Sequence, residues 1–90
     1  MIIMALEDRA GRIRHDSATP VTVQVAADIE ADIKAGRLAP DTRLPSEAEL
    51  AEQYGVARVT VRRAIALLRE RDKVVTVHGR GSYVTPRPSR

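Results

Sequence analysis

Two helical periods separated by one glycine occupy residues 44–68 of this chain. The first begins at a capping box, in which the hydroxyl of Ser46 can accept from the backbone N–H of Glu49 and the Glu49 carboxylate can reach back. The apolar residues of the two periods recur at helical spacing, at Leu50, Ala51, Tyr54, Val61, Ala64, Ile65 and Leu68. Gly55 lies between them, where the chain needs a positive φ to turn sharply. This spacing predicts two helices packed across a tight turn, the helix-turn-helix arrangement.

The second of these helices carries its polar residues on the face opposite to the apolar one. Arginines dominate that face, and a threonine stands near its start: Arg58, Arg62, Arg63 and Thr60. A helix with an apolar back and an arginine-rich front suits the major groove of DNA, where guanidinium groups can pair with base edges. We therefore predict a recognition helix over about 57–71.

The flanking segments predict one more helix and a β-hairpin. Before the pair, apolar residues recur at helical spacing ahead of Gly36, at Val25, Ala26, Ile29 and Ile33. After the pair, the apolar period falls to two on either side of residues 78–82, whose Gly-x-Gly is typical of a hairpin turn. Residues 42–44 are a candidate short strand. Together these elements predict a mainly α fold with a small β wing, a winged helix-turn-helix of three helices plus a β-hairpin at 74–85.

A chain of 90 residues allows one small domain, which we place at 21–85. Residues 1–20 lack a clear period and end in Ser17-Ala-Thr-Pro20, so we predict a flexible N-terminal arm there, with room for a short helix over 3–9. Two prolines in residues 86–90 predict an extended basic tail. Phe and Trp are absent, which favours a small aliphatic core over a large ligand pocket.

The charge of the chain is unevenly distributed. Residues 1–57 carry a net charge of −4 and residues 58–90 a net charge of +7, which together give the chain its +3. Such asymmetry is typical of proteins that bind a polyanion. Charge alone does not separate DNA from RNA or from a membrane surface.

The residues that enzymes and metal sites need are sparse. Cys is absent, and the two histidines, His15 and His78, lie 63 positions apart without metal-ligand spacing. The hydroxyl of Ser46 is used as a helix cap, and no nucleophile elbow surrounds it. Gly79 and Gly81 are explained by turn geometry, since no helix follows them as a phosphate-binding loop requires. We therefore expect no enzyme activity, no cofactor and no metal.

From about residue 21 to residue 85 the chain resembles the DNA-binding domain of the GntR family of bacterial transcription regulators. The matching residues are Ile33, Gly36, Pro40, Leu44-Pro-Ser-Glu47, Leu50-Ala51, Tyr54-Gly-Val56, Arg58, Thr60-Val-Arg62, Ala64, Leu67-Leu68 and Val77-His-Gly-Arg-Gly-Ser-Tyr-Val84. The Leu-Pro-Ser-Glu segment and the glycine-rich wing are most similar to the HutC-like branch of the family.

The resemblance implies that both the recognition helix and the wing contact DNA. Arg58 and Arg62 would contact bases or nearby phosphates in the major groove, and Thr60 would hold a phosphate. The wing tip would approach the minor groove. Val59 departs from the family pattern, because it replaces a frequent Thr or other residue at a base-facing position, and its methyl groups could meet a thymine methyl. The DNA-binding residues that we expect are Ser46, Arg58, Val59, Thr60, Arg62, Arg63, His78, Gly79 and Arg80.

The sequence also departs from the family pattern at two helix ends. Ala57 stands where the family usually has Ser or Thr, so the recognition helix lacks a side-chain cap worth about 1 kcal/mol. Asp72-Lys73 stands where the family prefers Gly and a large apolar residue, so we expect that helix to end differently. We also expect the chain to lack the family's larger C-terminal domain, which binds a small effector and dimerises, and hence to have no small-molecule effector site.

We interpret the chain as a cytoplasmic, sequence-specific regulator that binds double-stranded DNA at a palindromic operator, acts as a repressor and does not associate with a membrane. Without the dimerising domain, we expect a monomer or a weak homodimer that pairs on DNA. Two alternatives stay open. One is a winged-helix module or partner subunit that binds an acidic protein surface, and the other is a sequence-independent architectural DNA binder.

Overall fold

The structure is a computed structural model and describes residues 9–86. Within that range, three α-helices precede a two-stranded antiparallel hairpin. The elements are a 3-10 turn over Ala10–Arg12, α1 (Val21–Lys34), α2 (Glu47–Tyr54), α3 (Arg58–Glu70), β1 (Val74–Val77) and β2 (Gly81–Val84). This order confirms the predicted winged helix-turn-helix.

Helix α1 ends at the glycine that the sequence indicates. Gly36 takes a φ of +85°, and its backbone N–H donates to the carbonyl of Ile33 at 3.1 Å. The N–H of Arg37 donates to the carbonyl of Asp32 at 3.0 Å. These two bonds form a Schellman motif, which satisfies carbonyls that the end of a helix leaves open.

Helix α2 begins and ends as its capping box and glycine predict. The N–H of Glu49 donates to Ser46 Oγ at 3.1 Å, and the N–H of Ser46 donates to Glu49 Oε1 at 2.9 Å. Gly55 adopts a φ of +67° at the turn into α3. A Cβ at this glycine would lie 3.2 Å from the Cβ of Ala10, so both backbone conformation and space favour glycine here.

Helix α3 lacks a side-chain cap at its start. Ala57 is the N-cap residue in extended conformation, and its carbonyl accepts from the N–H groups of Thr60 and Val61 at 3.0 and 3.3 Å. A methyl group cannot accept a hydrogen bond, so the first N–H groups of the helix lack the usual hydroxyl partner.

We expect Ala57→Ser to raise the free energy of unfolding by about 1 kcal/mol, because a serine hydroxyl can accept from the N–H of the third helical residue. Chemical denaturation monitored by circular dichroism measures this. Ala39→Ser, at an exposed loop position, is the matched control, with an expected change within about 0.5 kcal/mol. Equal effects of the two substitutions would show that no cap forms.

Helix α3 ends in the same manner as α1, although no glycine is present. Asp72 takes a φ of +60°. Its N–H donates to the carbonyl of Arg69 at 3.0 Å, and the N–H of Lys73 donates to that of Leu68 at 2.8 Å. Asp tolerates this left-handed conformation better than most residues, so the departure from the family pattern leaves a Schellman end in place.

The hairpin forms where the apolar period falls to two. Its paired residues are Val74 with Val84, Val75 with Tyr83, Thr76 with Ser82, and Val77 with Gly81. Val74 and Val84 are buried, whereas Val75 and Val77 are exposed. The predicted strand at 42–44 is shorter than expected and consists of a single bridge between Arg43 and Tyr83.

The core is aliphatic, with one tyrosine. Helices α1 and α3 pack against each other, and both α2 and β1 pack against α3. The fully buried side chains include Val25, Ile29, Tyr54, Val61, Leu68, Val74 and Val84. No helix within residues 9–86 combines the length and the apolar composition that crossing a membrane requires.

The second half of the predicted N-terminal arm packs on the helices. Ile13 is buried in the core, and the N–H of Arg9 donates to the carbonyl of Gln53 at 2.7 Å. The Arg9 guanidinium lies 2.6 Å from Asp32 Oδ2 and 3.1 Å from Asp28 Oδ2. Residues 9–13 therefore lie against the domain, unlike the loose arm that we expected. The reason is that Ile13 and Arg9 contact residues far along the chain, and no periodic pattern around them indicates those contacts. The short helix predicted over 3–9 falls almost entirely outside the described residues.

Candidate nucleic-acid interface

The outer face of α3 presents the residues expected to contact DNA. Arg58, Arg62 and Arg63 are exposed, and 43% of Val59 is exposed. Thr60 is half-buried near the start of the helix. Val59 therefore does not contribute to the core, and it lies beside Arg58 on the outer face of the helix.

Arg62 is held by a carboxylate of α2. Its Nη2 and Nε atoms donate to the two carboxylate oxygens of Glu47 at 2.9 and 3.2 Å. These hydrogen bonds and the charge of Glu47 raise the pKa of Arg62 above its ordinary value. Such a bidentate pair fixes the plane of the guanidinium, so α2 sets the direction in which Arg62 projects from α3.

Other arginines of this surface carry no such partner. Among residues 9–86, the guanidinium groups of Arg58, Arg63 and Arg80 make no hydrogen bond or ion pair. By contrast, Nη1 of Arg71, directly after α3, lies 3.1 Å from Oε1 of Glu30 in α1. Unpaired cations concentrated beside one helix and one hairpin are available to bind an anion.

A cleft with a volume of about 460 Å³ brings the three expected elements together. Its walls are the start of α2 with Ser46 and Glu47, the start of α3 with Arg58, and the wing with Thr76 and Ser82. The hydroxyl of Ser46 already accepts from the N–H of Glu49. Its O–H donor is still available to a ligand.

The wing tip is a three-residue turn. His78, Gly79 and Arg80 are all exposed, and the N–H of Arg80 donates to the carbonyl of Val77 at 2.9 Å. Gly79 takes a φ of +78°, which the turn requires of it. The hairpin therefore projects an imidazole and a guanidinium into solvent at its end.

Two residues of this surface were missed at the level of sequence. Glu47 was seen as part of the Leu-Pro-Ser-Glu segment, but its pairing with Arg62 depends on how α2 crosses α3. Arg43 also lines the cleft. The sequence could have indicated Arg43, because it is a basic residue directly before Leu44 in the part of the chain whose net charge is negative.

Residues 9–86 contain no group of three or more His, Asp or Glu side chains placed to hold a metal ion. The surface instead combines cations, hydroxyls and an exposed valine, which suits recognition of a polyanion with an apolar contact.

Comparison with known proteins identifies a family for most of the chain. The model of the gntR family of bacterial regulatory proteins matches residues 21–84. The HTH-type transcriptional repressor NagR of Bacillus subtilis is 40% identical over 73 residues, which are 81% of this chain and 30% of that protein. The histidine utilization repressor of Klebsiella aerogenes is 37% identical over 65 residues, 72% of this chain and 27% of that protein.

The fold also matches solved structures. The crystal structure of AraR(DBD) in complex with operator ORX1 aligns with a TM-score of 0.75 and 33% sequence identity, over 81% of this chain and 92% of that chain. The chain spans about 30% of the length of the curated relatives named above, whereas it covers nearly all of this DNA-bound domain.

Proposed function

Because this chain belongs to the GntR family of bacterial regulatory proteins, we propose that it binds double-stranded operator DNA and represses transcription by occupying the operator. The observation that carries the proposal is the set of unpaired guanidinium groups around α3 and the wing. The operator complex of AraR(DBD), a similar domain, supports DNA as the polyanion. NagR and the histidine utilization repressor, both repressors by name, support repression.

In this proposal α3 lies in the major groove. Arg58, Val59 and Arg62 face base edges, where a guanidinium can pair with guanine and a valine methyl can contact a thymine methyl. The hydroxyls of Thr60 and Ser46 contact phosphates, and such contacts set register without reading sequence. Arg63, one position further round the helix, contacts the DNA backbone.

The 37% sequence identity with the histidine utilization repressor supports placing this chain in the HutC-like branch. A protein that binds chromosomal operators acts in the cytoplasm.

One recognition helix and one wing bury only about 600–1,000 Å² on DNA, so we propose that two copies occupy a palindromic operator. Light scattering with and without a palindromic duplex tests this. A tight dimer in the absence of DNA would contradict pairing that depends on DNA.

Selection of bound sites from a random duplex pool, followed by mobility-shift titration, tests the function. Sequence-specific repression requires one enriched site bound at least about 10³-fold more tightly than random duplex. Equal affinity for all duplexes would favour an architectural DNA binder. No binding at all would favour a protein-interaction module.

Arg80 at the wing tip should contact the minor groove beside the operator. A cation at a hairpin tip is attracted to the narrow minor groove of A·T-rich DNA. Arg80→Ala should therefore weaken binding by about 1 kcal/mol more on an operator with A·T-rich flanks than on one with G·C-rich flanks. The measurement is a titration of two duplexes that differ only in their flanks. Identical losses on both would remove the minor-groove contact from the proposal.

Glu47 should affect how well the protein discriminates between its operator and random duplex. Glu47→Gln removes a negative charge beside the DNA and releases Arg62 from its bidentate pair. Affinity for random duplex should rise and the salt slope should steepen by about one unit, while discrimination falls. Glu52→Gln, an exposed position on the same helix, removes an equal charge away from Arg62. If both variants behave alike, the ion pair has no role in selectivity.

A further inference from the structure

Arg43 lies at the junction between the helix-turn-helix and the wing. It forms the single bridge to Tyr83. On either side, the N–H of Leu44 donates to the carbonyl of Ser82 and the N–H of Val84 donates to that of Thr42, both at 2.8 Å. The backbone around Arg43 is therefore hydrogen-bonded to β2, which also pairs with β1, so it connects the chain before α2 to the wing.

The side chain of Arg43 passes close to the backbone of Gly81. A Cβ at Gly81 would lie 3.2 Å from Nε of Arg43 and 3.5 Å from Nη2. The glycine thus leaves space for the guanidinium, in addition to its φ of +111°. A side chain at this position would require the arginine to shift by a few tenths of an ångström, so the wing backbone and this cation lie in close contact.

The guanidinium of Arg43 has no acidic partner among residues 9–86. It shares the 460 Å³ cleft with Arg58, Ser46 and Ser82. Glu47, the acid that also lines this cleft, is occupied by Arg62. The cleft therefore has two unneutralised cations and three hydroxyls, of which those of Thr76 and Ser82 are hydrogen-bonded to each other at 3.1 Å, a set that suits an oxyanion rather than a base edge.

From this geometry we propose that Arg43 binds a DNA backbone phosphodiester in the cleft between α3 and the wing. The inference rests on the proposed DNA binding. With α3 in the major groove and the wing at the adjacent minor groove, one sugar–phosphate strand must pass between them. Arg43 holds that strand and so couples the position of the wing to the position of the recognition helix, without reading a base.

Arg43→Ala, Arg43→Lys and Lys34→Ala test this proposal by titration of the selected operator and of random duplex at several salt concentrations. Lys34 is exposed at the end of α1 and has no ion-pair partner in the described part of the chain, so it controls for charge. Arg43→Ala should reduce the salt slope by about 0.9 and weaken both duplexes roughly eightfold at 0.1 M salt. Arg43→Lys should keep the slope, and Lys34→Ala should change neither quantity.

Replacing single phosphates of the operator by neutral methylphosphonates adds a readout that a purely structural arginine would not affect. Replacement of the phosphate that Arg43 contacts should lower the operator affinity of the unaltered protein but leave the affinity of the Arg43→Ala variant unchanged. An unaltered salt slope, or a loss restricted to particular base pairs, would overturn the phosphate contact while the DNA-binding function stands. Failure of the unaltered protein to bind any duplex would overturn both.

Discussion

Replacing Asp32 with alanine should lower the free energy of unfolding by about 2–3 kcal/mol, because the change removes a buried carboxylate that accepts hydrogen bonds from Arg9 and Arg37 and leaves Arg9 paired with Asp28 alone among the described residues. Only 2% of the Asp32 side chain is exposed, and its Oδ2 lies 2.6 Å from Nη1 of Arg9. Arg37 donates to the other oxygen at 2.9 Å. A small domain has a total stability of about 5–15 kcal/mol, so this single change removes a large part of it.

The Arg9 side chain ties three elements together, which is why the loss is large. Its guanidinium also reaches Asp28 and donates to the hydroxyl of Tyr54 at 3.2 Å, while that hydroxyl donates to Asp28 Oδ2 at 2.6 Å. Loss of Asp32 therefore disturbs a network that joins residues 9–13 to α1 and α2. Buried networks of this kind depend on every member being satisfied.

Asp16→Ala is the matched control. Asp16 also pairs with an arginine, at 3.8 Å from Arg14, but 83% of its side chain is exposed. Exposed pairs contribute about 0–1 kcal/mol. Urea titration of the two variants compares them directly. If Asp32→Ala costs no more than Asp16→Ala, the network does not hold the N-terminal segment in place.

The pH dependence of stability provides a second test of the same network. Burial alone would raise the pKa of Asp32, but the hydrogen bonds from Arg9 and Arg37 and their charges outweigh it and hold the pKa below its ordinary value. The contribution of the carboxylate is therefore complete above the unfolded-state pKa of about 3.9. It is lost as the pH falls through the lower folded-state pKa. The stability difference between the unaltered protein and Asp32→Ala should shrink over that acidic window and stay constant between pH 6 and 8, roughly.

Arg58→Ala and Arg62→Ala should each weaken binding to the best operator by about 1–3 kcal/mol and flatten discrimination at particular base pairs. The physical reason is that a guanidinium paired with a guanine leaves two acceptors without donors when it is removed. Lys34→Ala, at the end of α1, removes the same charge from a different element and should leave discrimination intact. Competition titrations against operators with single base-pair changes measure the effect.

Arg62 needs one further variant, since its loss also exposes the carboxylate of Glu47 to the DNA. Part of the effect of Arg62→Ala is then repulsion between Glu47 and phosphates. The double change with Glu47→Gln removes that repulsion and isolates the lost base contact by a double-mutant cycle. Equal, sequence-independent losses for Arg58→Ala, Arg62→Ala and the double variant would contradict base reading by α3.

The helices and the hairpin were predictable because each is determined by residues that are close in the sequence. The hydroxyl and carboxylate of the capping box lie three residues apart. Gly36 and Gly55 end their helices through backbone conformations that glycine adopts without strain. The amphipathic face of α3 follows from its period alone, and the structure buries Val61, Ala64 and Leu68 on it.

The sequence by itself therefore determined the element order and the residues that project outward from α3 and the wing. Only the tertiary structure decided which of those charges are neutralised, because ion pairs between elements depend on how the elements cross. Arg9 and Asp32 are 23 residues apart, and Arg62 and Glu47 are 15 apart, with no period that links either pair. The same reason explains why the packed segment at 9–13 and the position of Arg43 over Gly81 emerged only from the packed chain.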